Sequence, residues 1–415
     1  MLHYFLMGLA VLALLSIVFE EVIHVNKAKT TLFFGCISWV LLFFFAESDQ
    51  QRESTTHFLN ENLLEIATLW LFLMSTMTFV AYLNAKGLIQ TFVQKLFPHT
   101  LSKRLLLILV ALFALVLSAI CDNVTATLVS IGLVQSFNLE KPDKLKMAAL
   151  IVFAVNSGGV ALITGDVTTL MIFLGGHVHM GELLILLIPS AVSVTALALM
   201  FSAGMKGQVT TEIVERKFNG VDLTIAGTFF STILCTMLFN VLFSVPPVLT
   251  FMTGLSIMFL VGRMAQTDDE QTQILEYIRK IEYDTLLFFL GILLLVGMLQ
   301  EIHVLAKVAE WYSEIAPIYS NYIAGAVSAL LDNVPLTAAL LKANPELSTT
   351  DWLGLTYSVG VGGSLLIIGS AAGIITMSKV EGMTFGAYLK FFPALLICYT
   401  IGYSLSIYLP SLFFS

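Results

Sequence analysis

The residues that could do chemistry sit where chemistry is expensive. Ser118-Ala119-Ile120-Cys121-Asp122-Asn123-Val124-Thr125 lies inside a long apolar run, and Ser328-Ala329-Leu330-Leu331-Asp332-Asn333-Val334-Pro335 repeats it 210 positions on. A third aspartate, Asp166, lies in Thr164-Gly165-Asp166-Val167-Thr168-Thr169. Each aspartate costs at least about 2.5–3.5 kcal/mol at bilayer depth, and residues that bear such a cost face a cavity and bind an ion, a proton or a partner. No Lys or Arg lies beside the three in sequence, so a structural ion pair is not indicated. The surrounding donors all carry oxygen: Asn123, Thr125, Thr127, Thr164, Thr168, Thr169, Asn333, Thr337 and Ser370. Carboxylate, amide, hydroxyl and exposed carbonyl oxygens suit a hard cation. Cys121 is read as packing, and no His or Cys cluster competes. Burial disfavours the charged form of a carboxylate, so one group can hold either a proton or a cation. Such competition, coupled to alternating access, is sufficient for exchange. The plainer role is a helix cap, in which Asp or Asn accepts orphan N–H groups, and Pro335 suits a first turn. Capping and ion binding are compatible, and both are expected.

Long apolar segments must position these residues. The chain has 415 residues, of which 58% are hydrophobic and 12% charged, against about 25% charged in a soluble domain. The apolar segments have helix length and no strand-length alternation, which points to a polytopic helical membrane protein rather than a barrel. Spans are expected at 2–19, 31–46, 63–83 and 183–203, and again at 221–243, 247–261, 285–299 and 386–409. The stretch 47–62 reads as an acidic loop, and 84–104 as a helix lying at the interface. Residues 105–137 and 319–341 are each interrupted at Asp-Asn and read as re-entrant hairpins. Residues 147–175 and 352–377 read as broken spans, interrupted at Gly158, Gly159 and Gly165 and at Gly362, Gly363 and Gly369, where glycine frees backbone carbonyls. The first segment lacks a basic leader and a cleavage site and reads as a retained span. The four cysteines, Cys36, Cys121, Cys235 and Cys398, are buried small hydrophobes without metal or disulfide spacing. No cofactor and no nucleic-acid partner is implied.

The halves correspond. Glu65-x-x-Thr68-Leu69 returns as Glu282-x-x-Thr285-Leu286, and Gly158-Gly159 with Gly165 return as Gly362-Gly363 with Gly369. The expected fold class is an all-α polytopic membrane protein of two inverted repeats, residues 1–205 and 221–415, joined by a cytoplasmic linker at 206–220. Each repeat has about five spans, counting the broken helix, plus one hairpin. An odd number of spans inverts the second half. With both termini outside, only Arg52, Lys307 and Lys342 of the twenty Lys and Arg residues fall on the outer side, a strong positive-inside bias. Glu65 and Glu282 sit at span starts as anchors or as a proton route, and His177 and His179 share a short loop.

On Cys121-Asp122-Asn123-Val124-Thr125, Gly165-Asp166-Val167-Thr168-Thr169 and Leu331-Asp332-Asn333-Val334-Pro335-Leu336, the chain resembles the NhaD-type sodium:proton antiporters. These are a branch of an ion-transporter superfamily that also holds arsenite pumps and dicarboxylate carriers. The resemblance implies Na+ and H+ as partners, a homodimer in the bacterial inner membrane, and an elevator-like moving domain. It implies one cation site of Asp122, Asn123 and Thr125 with Thr164, Asp166 and Thr168. It implies a second of Asp332 and Asn333 with Gly369 and Ser370. Dicarboxylate carriers have Ser-Asn-Thr at the hairpin tips where this chain has Asp-Asn, and surplus carboxylates repel an anion. Ser370 stands where Asp166 stands, so the second site carries less charge. An aspartyl protease using Asp122 and Asp166 would want Gly-x-Gly-Asp, but Ile163 replaces its first glycine. A channel would not need paired proton-binding sites.

Overall fold

The computed structural model describes residues 2–18, 26–88, 100–135, 137–210, 219–264, 276–281, 283–330 and 333–413. Asp332 and Glu282, both singled out above, lie outside the described residues.

Helices α1 (Leu2–Val18), α2 (Lys27–Phe44) and α3 (Asp49–Ala85) come first. The expected loop at 47–62 is helix instead. Ser48 caps it by accepting from the Gln51 N–H at 3.2 Å, Asp49 sits in the first turn, and no Gly or Pro interrupts the 37 residues. At about 1.5 Å per residue α3 runs to about 55 Å, well beyond a hydrocarbon core of about 30 Å, so its polar first turns stand outside the bilayer.

Most of the expected interfacial helix at 84–104 falls outside the described residues. Residues 100–102 of it are strand: β1 (Thr100–Ser102) pairs antiparallel with β2 (Gln208–Thr210) of the linker, Leu101 facing Val209. From this ribbon α4 (Lys103–Ile120) departs, followed by α5 (Asn123–Gln135), α6 (Lys141–Gly159) and α7 (Val167–Leu174). α8 (Met180–Leu183) runs through a 3-10 turn into α9 (Leu187–Ser202).

After β2 come α10 (Gly220–Phe243), α11 (Pro247–Met264) and α12 (Tyr283–Glu301). The amphipathic α13 (Val304–Glu314) leads to α14 (Pro317–Ser328), α15 (Asn333–Ala343), α16 (Thr349–Gly362) and α17 (Ala371–Lys379). The short α18 (Phe385–Leu389) and α19 (Phe392–Ser411) complete it. Among the described residues six helices are long and apolar enough to cross a membrane, which makes this an all-α integral membrane protein.

The helices pack in two groups. α1, α2, α3, α10, α11 and α12 form one, centred on the crossing of α2 with α12. There Gly35 meets Gly291, where a Cβ would lie 2.7 Å from the Gly291 carbonyl oxygen. Small residues at a crossing let membrane helices approach backbone to backbone. Trp39 and Trp70 donate their indole N–H groups to the Leu294 and Leu286 carbonyls at 2.9 and 2.8 Å and peg α2 and α3 to α12. α4 to α7, α9, α14 to α17 and α19 form the other group. In it α4 lies on α6, α14 on α16 and α9 on α19. The groups meet where α15 lies against α12.

A cavity at four helix N-termini

Two breaks in the chain face each other in the first half. α4 ends at Cys121, and α5 starts at Asn123. Asp122 closes the gap as a cap: Oδ1 accepts the Thr125 N–H and Oδ2 the Thr125 hydroxyl, both at 2.9 Å. Asn123 is held in turn by the Ser118 hydroxyl, which donates to its Oδ1 at 2.7 Å. Across from this tip, α6 ends at Gly159 and α7 restarts at Val167. Asp166 is the N-cap of α7, its Oδ1 accepting the Thr168 N–H at 3.2 Å. The Thr164 hydroxyl donates to the Ala119 carbonyl at 3.0 Å and ties the break to the hairpin.

The glycines act by contact more than by interruption. Gly158 and Gly159 are helical, and the break begins after them. A methyl group at Gly158 would overlap the Leu115 carbonyl oxygen of α4, and one at Gly165 would lie 2.5 Å from the Ser118 carbonyl. In the second half Gly362 is likewise the last residue of α16 and meets the Gly325 backbone, Gly363 follows as its C-cap, and Gly369 meets the Ala329 carbonyl. Backbone thus lies on backbone at both breaks, a closeness that any side chain would prevent.

The two halves share polar bonds. Asn333, first residue of α15, donates from Nδ2 to Asp166 Oδ2 at 3.1 Å. Ser370, the N-cap of α17, accepts from the Gly373 N–H at 3.3 Å and from Asn156 Nδ2 of α6 at 3.1 Å. Asp122, Asn123, Thr164, Asp166, Asn333 and Ser370 line one cavity of about 180 Å³. Asn333, assigned to the second set, thus bonds the aspartate of the first. Thr125 and Thr168 are outside its lining, with the Thr125 hydroxyl spent on Asp122.

Four helix N-termini, those of α5, α7, α15 and α17, end at this cavity. Their partial positive charge, and the first-turn N–H groups that Asp122 and Asp166 accept, stabilise carboxylates in a place where apolar surroundings would otherwise expel them. Among the described residues the cavity lining contains no Lys, Arg or His. Its oxygen donors and surplus negative charge suit a small cation or a proton and reject an anion.

Sequence reasoning missed three lining or supporting residues. Asp284, in the first turn of α12, lines the cavity from the other helix group, and Asn26 donates to its Oδ2 at 2.8 Å. Asn156 is fully buried. The depth argument that found Asp122 applies equally to Asn156, an amide between Val155 and Ser157 in an apolar run. Nothing local marks Asp284, because span starts are ordinarily polar.

Known proteins resemble this chain along most of its length. The profile of the family described as Citrate transporter (CitMHS) matches residues 6–360. The Na(+)/H(+) antiporter NhaD of Vibrio cholerae is 31% identical over 417 residues, covering 93% of this chain and 87% of that protein. The Na(+)/H(+) antiporter NhaD of Vibrio parahaemolyticus is 30% identical, covering 90% and 98%. Sodium/proton antiporter 2 of Arabidopsis thaliana is 30% identical, covering 90% and 91%. Among solved structures, the Alcanivorax borkumensis YdaH transporter superposes with a TM-score of 0.55 at 14% identity, over 88% of this chain and 90% of that one.

Proposed function

The chain belongs to the NhaD family of Na+/H+ antiporters, within the wider citrate transporter family, and we propose that it exchanges Na+ for H+ at the single cavity between Asp122 and Asp166. The observation that carries this is the cavity's composition: two buried or half-buried aspartates at helix N-termini, neutral oxygen donors, and, among the described residues, no cationic side chain in the lining.

In this reading Asp166 is the principal carboxylate. Its Oδ1 is engaged by the Thr168 N–H and its Oδ2 by Asn333. A Na+ ion takes oxygens from Asp122, Asn123, Thr164, Asp166 and Ser370. A proton on either carboxylate removes the charge that holds the ion, so the two cargoes exclude each other. Alternation requires the helices carrying the cavity to move against the group containing α2, α3 and α12. Asp284 and Asn26 belong to that other group and stand at the inner mouth under the charge-based orientation. The halves 1–205 and 221–415 are read as inverted repeats about this cavity, in a bacterial inner-membrane homodimer with both termini outside.

The test is direct. Protein reconstituted in vesicles with an internal pH dye and a preset pH gradient should discharge the gradient when Na+ is added, with Li+ as a comparison. Asp122→Asn keeps an oxygen for the Thr125 N–H and so keeps the cap, but loses the charge; it should abolish the response. An unchanged response in this variant, or none to any alkali cation in the parent, overturns the reading. Citrate and arsenite form the opposing arm, and neither should move the pH signal.

A further inference from the structure

Three helices of the cavity have far ends that meet in a second place. α5 starts at Asn123 in the cavity and ends at Gln135. α6 begins at Lys141 and ends at Gly159, beside Asn123 and Asp166. α17 leaves its cap Ser370 in the cavity and ends at Lys379. The far ends enclose a pocket of about 410 Å³. Lys141, Lys144 and Lys379 stand around it, while Ile131, Val134 and Ile151 supply apolar wall. Glu381 is the one acidic residue in the lining among the described residues.

The lysines are available to a ligand. Among the described residues no carboxylate lies within 4.0 Å of any of the three ammonium groups. The acids nearest Lys141 and Lys144 in sequence, Glu140 and Asp143, are taken by Lys103 at 3.6 and 2.7 Å. Glu140 makes no side-chain cap on α6, and Asp143, the acid of its first turn, is paired with Lys103, so the first-turn N–H groups add partial positive charge at Lys141. Two contacts hold the pocket's shape. Gln135 donates from Nε2 to the Lys379 carbonyl at 2.8 Å. Gly382, at φ +83°, carries the Lys141 stem across its bare backbone, where a side chain would collide with it.

We propose that this pocket binds the phosphate headgroup of an anionic phospholipid of the inner leaflet. A phosphodiester carries one negative charge and acceptor oxygens for the three ammonium groups. The positive-inside count puts these lysines on the cytoplasmic side, where anionic headgroups attract basic residues at membrane borders. Because α5, α6 and α17 run from this pocket to the ion cavity, an occupied pocket steadies the three helix ends that shape the cavity.

The experiment uses the full chain in neutral detergent with phosphatidylglycerol, phosphatidylcholine or inorganic phosphate added, and reads the melting temperature. Phosphatidylglycerol should raise it and the other two should not. In Lys141→Gln/Lys144→Gln/Lys379→Gln the apparent affinity for phosphatidylglycerol should fall on the order of a hundredfold, at roughly fivefold per lysine. The triple Lys→Arg variant keeps the charge and should keep the shift, which separates lost binding from lost folding. An equal shift in the glutamine variant, an equal shift with phosphatidylcholine, or full replacement by inorganic phosphate each overturns the proposal. The measurement involves no Na+ or pH gradient, so its outcome is independent of the exchange assay.

Discussion

At the residue scale, the cavity depends on what is absent as much as on what is present. Asp122 and Asp166 supply charge, and glycine supplies the closeness that lets them face each other. Gly158 is the sharpest case, since a methyl group there would run into the Leu115 backbone, which has no rotamer to yield. Gly158→Ala should destabilise the protein by about 1–3 kcal/mol, the usual cost of overpacking, and depress exchange with it. Gly132 of the neighbouring α5 is the control: a Cβ there meets nothing within 4 Å. Gly132→Ala should be neutral or stabilising by up to about 1 kcal/mol. Melting of both variants in detergent checks the pair, and equal melting temperatures would refute the contact argument. Asp122, Asp166 and Asn333 were legible in the sequence because charge and amide at bilayer depth demand a use. The bond between Asp166 and Asn333 was not, because it joins residues 167 positions apart.

At the element scale, each restarting helix is capped by one polar residue, Asp122, Asp166 or Ser370. Asp122 directly follows Cys121, the C-cap of the preceding helix, whereas Asp166 and Ser370 stand well past Gly159 and Gly362, where the preceding helices end. The turn after α7 shows a different device. His177 stacks on Trp352 of α16, ring centroids 3.9 Å apart at 18°. Burial there disfavours the protonated ring and holds the His177 pKa below its ordinary 6.5. The folded state therefore binds fewer protons than the unfolded chain around pH 6.5. The contribution of this contact is fully present above pH 6.5 and is lost as pH falls towards and through the lowered value. An NMR titration of His177 should show a midpoint below 6.5 that rises towards it in Trp352→Ala; a midpoint at or above 6.5 in the parent would contradict the stacking argument. The sequence placed His177 in a loop correctly. It could not show Trp352 as the partner, which lies on a helix of the other half.

At the scale of the whole molecule, two groups of helices meet along α12 and α15, with one ion pair between them among the described residues. Lys342 of α15 pairs with Glu65 of α3. The Glu65 side chain is 59% exposed, so the pair should contribute no more than about 1 kcal/mol. A double-mutant cycle on Glu65→Gln and Lys342→Met in melting experiments should return a coupling within that bound. A larger value would mean that the pair is shielded from water in the membrane. Sidedness has its own test. In a background without the four native cysteines, Arg52→Cys and Lys307→Cys should react with an impermeant maleimide on intact cells. Lys141→Cys should react only after permeabilisation. The reverse pattern would invert the proposed topology.

Composition and periodicity by themselves determined that this chain lives in a membrane as helices, and that Asp122 and Asp166 lie at breaks in them. These are local consequences of what a bilayer tolerates: apolar length, satisfied backbone, and few buried charges. Capping strength near Ser48 already overrode one local reading, turning an acidic loop into helix. Only the tertiary structure decided that the motifs of the two halves share one cavity, that Asp284 joins it from the other helix group, and that three lysines gather behind it. Those facts follow from which helix faces touch across the fold, and contacts between residues hundreds of positions apart leave no mark on the spacing of either partner.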